Sequence, residues 1–311
     1  MLYFPSLALR EGVGGEFFWN EFPYLYSMHL TLLNRKTLAG IPSASGIEII
    51  GNSIYVMSDD SPWLFKLNDR FEVLDKIQVG DIYMAADGKI PKPFKSDLEA
   101  MAVFEQGLLL FGSGSKSPQR DVLVQLNADQ PLDIKKYSLV KFYDAVCLSA
   151  GFPRKDLNIE AAVSIDETLY LFNRGKNRII KINACDFLEY AKGFKGIPAF
   201  EIYSIALPSL NGLAAGFSGA TATPDKKQII FTASVENTTN WIDDGEVYGS
   251  FVGNIPIGEL KDNFCPDCIA ITDKENNVLK IKVESVAVHH PISSHSLHLL
   301  MVTDTDGASS E

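Results

Sequence analysis

The sequence predicts an all-β fold, a β-propeller of five blades, and three observations carry that prediction. First, a phrase of hydrophobic residue, Glu, then small or apolar residue recurs at Ile47-Glu48-Ile49, Leu98-Glu99-Ala100, Ile159-Glu160-Ala161 and Val283-Glu284-Ser285. The glutamates at 48, 99, 160 and 284 are separated by 51, 61 and 124 residues, and the last interval is twice 62. Gly216-Phe217-Ser218-Gly219-Ala220 fills the middle of it, with Ser218 in the place of the glutamate. Self-similarity at a period of roughly 50–60 residues marks a repeat architecture. Second, each copy opens the same series of short β-rich runs, punctuated by Gly, Asn, Asp and Pro. Third, 46% hydrophobic and 22% charged residues suit a packed globular body. Repeat units bury their faces against neighbours, so 311 residues can close into one domain.

The units read in order. Unit one gives SGIEII, a Gly51-Asn52 turn, SIYVMSDDSP, WLFKLN and FEVLDKIQV. Unit two gives DLEAMAVF, a turn at Gly107, LLLFGSGS, DVLVQLN and DIKKYSL. Unit three gives NIEAAVSI, TLYLFNRG, NRIIKIN and FEIYSIAL. Unit four gives FSGATAT, QIIFTAS and EVYGSFVG, and unit five gives VESVAV and LHLLMVTDTD. Four strands per unit is the blade of a propeller. The first strand is apolar on both faces, as a strand between neighbouring blades must be, and the last is charged, as suits an edge. Unit five lacks its outer strands after Asp306, so the N-terminus must close the ring, and residues 26–33 are the expected donor strand. A sixth blade would require another sheet hidden in 235–282. Residues 1–23 read as a leader outside the domain at 24–311. Helical periodicity is weak except near ACDFLEYAKGF.

A net charge of −11 repels phosphate backbones and disfavours nucleic acid as a partner. No apolar run reaches the roughly 18 residues of a membrane span. The N-terminus has no basic region ahead of its apolar stretch, so a cytoplasmic location is expected. Cys147, Cys185, Cys265 and Cys268 are then reduced thiols, and the lone C-x-x-C at 265–268 lacks the second pair that zinc would need.

The run from Ser45 to Leu67 resembles the first blade of bacterial propellers grouped as SdiA-regulated and phytase-like proteins. Asp97-Leu98-Glu99-Ala100 and Asn158-Ile159-Glu160-Ala161 are similar to their D-x-E-G/A phrase. The segments at 157–161, 112–115 and 244–250 also resemble an uncharacterised bacterial family. The resemblance covers roughly residues 40–306. It implies a propeller of the calcium-dependent phosphatase and lactonase kind.

Residues at the start of an innermost strand face the axis or the seam between blades. Glu48, Glu99, Glu160 and Glu284 then converge, and at low dielectric their repulsion costs several kcal/mol. A cation, protonation or amide donors would relieve it. A carboxylate ring suits Ca²⁺ or another divalent cation, which takes six to eight oxygens in loose geometry. A purely structural duty, each Glu capping amides of the next blade, would repeat in the same way.

A second cluster ends the second strands: Asp59, Asp60, Ser113, Ser115, Arg174 and Asp304, with Lys116 and Arg120 following. Arg120 and Arg174 would hold an anionic small molecule, and mixed carboxylates and bases suit a metal-assisted hydrolase. Polar strand ends in any propeller give the same pattern. Glu236, Asp243, Asp244 and Glu246 form an acidic loop with Trp241 and Tyr248. His289, His290, His295 and His298 span a hairpin, but 295 and 298 face opposite ways and cannot share a metal without a bend. Whether the chain is an enzyme stays open at this level. A divalent-cation-dependent hydrolase of a phosphoester or ester, without organic cofactor, is the first expectation. A non-enzymatic propeller binding a small ligand or a protein, with structural glutamates, is the alternative.

Overall fold

Short β-branched and aromatic runs separated by tight turns pair into five four-stranded antiparallel sheets in the computed structural model. It describes residues 2–4, 28–81, 90–127, 133–237, 245–293, 296–304 and 309–310. Four of the sheets are propeller blades of consecutive strands. The first runs Ala44–Ile50, Ser53–Ser58, Trp63–Leu67, Val73–Gln78. The second runs Leu98–Phe104, Gly107–Gly112, Val122–Asn127, Ile134–Ser138. The third runs Ile159–Ile165, Thr168–Asn173, Arg178–Asn183, Phe200–Ser204. The fourth runs Gly216–Ala222, Gln228–Asn237, Glu246–Pro256, Asp267–Ala270. The interval 235–282 thus completes the fourth sheet.

The fifth sheet is composite. Lys282–Ser293 and Ser296–Asp304 form its inner hairpin, Leu2–Phe4 pairs with the second of these, and Asn34–Arg35 lies outside. Leu2 stands opposite Met301 and Phe4 opposite Leu299. The N-terminal donor is therefore Leu2–Phe4, not residues 26–33. Of that segment, 26 and 27 lie outside the described residues, and 28–33 run as irregular chain. Met28, Leu30 and Leu32 still pack into the seam of the fourth and fifth sheets. Instead of ending unpaired after Asp306, the chain forms a further latch, with Ser309–Ser310 antiparallel to Leu38–Ala39.

Innermost strands contact one another in the cycle first, second, third, fourth, fifth and back to first. Each seam holds its own apolar cluster. Tyr55 and Leu64 meet Leu108 and Val124 between the first two sheets. Phe172 and Phe217 meet edge-on at 5.1 Å between the third and fourth. Burial follows the expected layering, with inner strands buried on both faces and Val73–Gln78 and Ile134–Ser138 mostly exposed.

Two helices cap the seam of the second and third sheets. Helix α1, Val140–Ala150, buries Phe142, Tyr143, Val146 and Cys147, and Gly151 ends it at φ 68°, where only glycine is unstrained. Helix α2, Ala184–Ala191, is the one the sequence suggested, and its Asn183 cap accepts the Asp186 amide at 3.0 Å. Phe142 of α1 and Phe187 of α2 meet edge-on at 5.1 Å.

Every innermost strand has a break in register near its start. The breaks fall between Ala44 and Gly46, Leu98 and Ala100, Ile159 and Ala161, Phe217 and Gly219, and Val283 and Ser285. The extra residue is Ser45, Glu99, Glu160, Ser218 or Glu284. A bulge leaves that residue out of the ladder and re-aims its side chain. After one of them, a Cβ on Gly219 would lie 2.5 Å from Ser285 Cα in the neighbouring sheet. Gly219→Ala is expected to destabilise by about 1–3 kcal/mol, measured by urea unfolding, while the exposed Gly196→Ala leaves the midpoint unchanged.

Candidate functional site

Bulge geometry re-registers the glutamate phrase. Glu99, Glu160 and Glu284 are equivalent, but the bulge residue of the first sheet is Ser45, and Glu48 lies three positions further along its strand. The axial ring therefore reads Ser, Glu, Glu, Ser, Glu. Its serines are bonded away: Ser45 Oγ donates across the seam to the Leu98 carbonyl at 2.8 Å, and Ser218 Oγ donates within its own sheet to Thr232 Oγ1 at 3.1 Å.

Around the three glutamates the loops add further charges. Asp97 precedes the bulge of the second sheet with φ 51°, a left-handed conformation uncommon outside glycine and asparagine. Its carboxylate accepts from Ser113 Oγ at 2.6 Å and pairs with Arg120, whose guanidinium also donates to Ser115 Oγ at 2.8 Å. Asp59 and Asp60 end the second strand of the first sheet, and both pair with the buried Lys95. Ser43 Oγ donates to Asp60 at 2.9 Å. Asp59, Asp97 and Glu99 each place a carboxylate oxygen within 4.8 Å of the others.

The far side of the axis is better compensated. Glu160 accepts from Asn158 Nδ2 at 2.6 Å. Lys282 bridges Glu284 at 2.9 Å and Glu236 at 3.1 Å. Arg174 reaches across the seam from the third to the fourth sheet, donating to the Phe217 carbonyl at 3.2 Å and Ser234 Oγ at 2.8 Å, and lies 3.4 Å from Glu236. Among the described residues neither Glu48 nor Glu99 has an ion-pair partner.

Of the remaining expectations, the side chain of Asp304 and residues 241, 243, 244 and 295 lie outside the described residues. Glu236 is buried at the axis while Glu246 is exposed and pairs with Lys280 at 3.0 Å, so the acidic loop does not converge. Sequence reasoning missed Lys95 and Lys282, isolated lysines with no motif. Asp97 was legible only as the first position of a phrase.

Seven axial carboxylates (Asp59, Asp60, Asp97, Glu99, Glu160, Glu236, Glu284) face four bases (Lys95, Arg120, Arg174, Lys282), an excess of three negative charges. Burial raises the acids. Glu99 is pushed well above the usual range by burial, then by Asp59, Asp97, Glu160 and Glu284. Burial lifts Glu160 against the pull of Arg174 and Lys282. Burial takes Glu284 up to about 8 against Lys282, and Asp59 to about 7 against Lys95. Burial alone would lower Lys282, but Glu284 and Glu236 outweigh it and hold the ammonium well above its ordinary value.

Blades around an axis lined with partly compensated charge define a propeller with an ionisable channel. Residues 40–311 match DUF6929, a family of unknown function, and the chain belongs to that family. No curated protein matches the chain. Among solved structures it is similar to Myxococcus xanthus glutaminyl cyclase, at 9% identity and a TM-score of 0.43, over 86% of this chain and 95% of that one. It is also similar to Kuenenia stuttgartiensis hydrazine synthase, at 12% identity and a TM-score of 0.42, over 78% of this chain and 70% of that one. Among the described residues no helix is long and apolar enough to cross a membrane.

Two predictions follow from the charges. The unfolded chain ionises its glutamates near 4.5 while folded Glu48 and Glu284 hold protons up to about 8. Stability in chelator is therefore full below about 4.5 and is lost as pH rises through about 8; melting temperatures across that window check the sign. Lys95→Met leaves Asp59 and Asp60 buried without their shared cation and is expected to cost about 3 kcal/mol at neutral pH, with the loss shrinking in acid.

Proposed function

We propose that the protein is a five-bladed propeller whose channel binds a divalent cation at Asp59, Asp97 and Glu99 and hydrolyses an anionic phosphoester or ester there. The observation that carries the reading is the convergence of those three carboxylates, of which Glu99 has no ion-pair partner among the described residues. The closed cycle of innermost strands supports the count of five. The resemblance of residues 45–67 and 97–100 to phytase-like propellers points toward the same chemistry.

The donor set fits a hard cation such as Ca²⁺, which accepts carboxylate oxygens and water in irregular geometry. When bound, it supplies Lewis-acid polarisation of a substrate oxygen and a more acidic water. The chain's own groups do the rest. Arg120 fixes Asp97, and Lys95 fixes Asp59, so two ligands are held before the cation arrives. Burial raises the carboxyls of Glu160 and Glu284, the latter to about 8, and a raised carboxyl is the property required of a general acid. Arg174 is engaged by carbonyls, Ser234 and Glu236, and Lys282 by Glu284 and Glu236, so both hold the far side of the axis together.

Calorimetric titration of chelated protein with Ca²⁺, Mg²⁺ and Mn²⁺, repeated on Glu99→Gln, tests the site. Binding to the wild type and its loss in the variant are expected, with the melting temperature of the variant in chelator no lower than that of the wild type. A wild type that takes up none of the three ions rules the cation out. Should binding occur without turnover on a phosphatase and esterase panel, the channel is a ligand-binding site in a non-enzymatic propeller.

A further inference from the structure

Strict alternation along a strand puts His289 and His290 on opposite faces. The register of Lys282–Ser293 breaks between Val288 and His290, and His289 is the extra residue. This second bulge in the strand supplies the bend that alternation denies. The two imidazoles meet with ring centroids 4.7 Å apart and Nδ1 atoms 3.1 Å apart. His298, directly opposite His290 across the hairpin, brings its ring to 4.1 Å from that of His290. One ring nitrogen from each of the three lies within 4.8 Å of the others.

These nitrogens are spaced for a transition metal. With Zn–N bonds of about 2.0–2.1 Å, a tetrahedral site separates two nitrogens by about 3.3 Å. The His289–His290 distance, 3.1 Å, is already close to that value, and His298 lies opposite His290 on the partner strand.

His289 and His290 also line a cavity of about 270 Å³, with Glu48, Ile49, Ser164 and Thr221 on its wall. These residues come about four positions after the bulge residues of their strands, roughly 13 Å further along the axis. The cavity is therefore the other end of the channel, away from Asp59, Asp97 and Glu99. Glu48, displaced from the axial ring, faces it, and burial raises its carboxyl to about 8.

We propose that His289, His290 and His298 form a Zn²⁺ site at this second mouth, with an open coordination position facing the cavity that Glu48 lines. Three histidines and a free position are the ligand set of a zinc that binds water or a small anion. The site is independent of the cation site proposed at the first mouth.

The test uses the full chain without an affinity tag, stripped of metal and titrated with Zn²⁺ against a chromophoric chelator. Co²⁺ in place of Zn²⁺ gives a visible spectrum of the site. One equivalent of Zn²⁺ is expected, with the intense bands of four-coordinate Co²⁺. His290→Gln and His298→Gln should each weaken binding by roughly 10–100-fold or more, while their melting in chelator matches the wild type. Glu99→Gln should leave Zn²⁺ binding unchanged, which separates this site from the other. Should His290→Gln fail to fold, His298→Gln, on a partly exposed strand position, gives the measurement alone. Absence of stoichiometric binding, or binding that survives both histidine substitutions, overturns the proposal.

Discussion

An extra residue at the start of every innermost strand governs the channel. A regular strand would send alternate side chains into the two neighbouring seams, where Ala, Val and Phe already fill the space. The bulge breaks that alternation once per sheet and releases one side chain from the packing. Where that residue is Ser45 or Ser218, the hydroxyl is taken up by a bond, across the seam for Ser45 and within the fourth sheet for Ser218. Where it is Glu99, Glu160 or Glu284, the carboxylate stays with the axial charges. A symmetric scaffold thus carries an asymmetric set of groups.

Compensation of those charges is equally uneven. Lys282 serves Glu284 and Glu236, and Arg174 knits the third sheet to the fourth while standing beside Glu236. These contacts make one side of the axis a structural ion-pair network. On the other side Lys95 and Arg120 are consumed by Asp59, Asp60 and Asp97, and among the described residues Glu99 has no ion-pair partner. Removing one member of a buried pair costs more than the pair contributes, because the orphaned charge cannot return to water. The network therefore leaves the two sides of the axis unequally balanced in charge.

Architecture was legible because it repeats. The recurring phrase located four inner strands, and the long interval before Val283 pointed to Ser218 as the hidden fifth. What a repeat cannot reveal is a one-residue insertion in the ladder. Ile47-Glu48-Ile49 has the same composition as Leu98-Glu99-Ala100, yet the bulge in the first sheet falls at Ser45, and the glutamate goes to the opposite end of the channel. The same blindness hid the histidines, whose approach depends on a bulge at His289. Helix α1 was readable in principle, since Phe142, Tyr143, Val146 and Cys147 recur at helical spacing. It was masked by Leu139, a residue that offers no side-chain cap. Lys95 and Lys282 carried no local signal, because their partners are distant in sequence.

The composite fifth sheet has a consequence for the order of events during synthesis. Leu2–Phe4 is made long before Ser296–Asp304 and has no ladder to join until that strand exists. The four consecutive sheets can assemble as they emerge, each on the one before. Until Ser296–Asp304 has been made the ring stays an open arc, with the faces of its first and fourth sheets uncovered. Closure is then a single late step joining chain made nearly three hundred residues apart, and until it happens neither end of the axial channel exists.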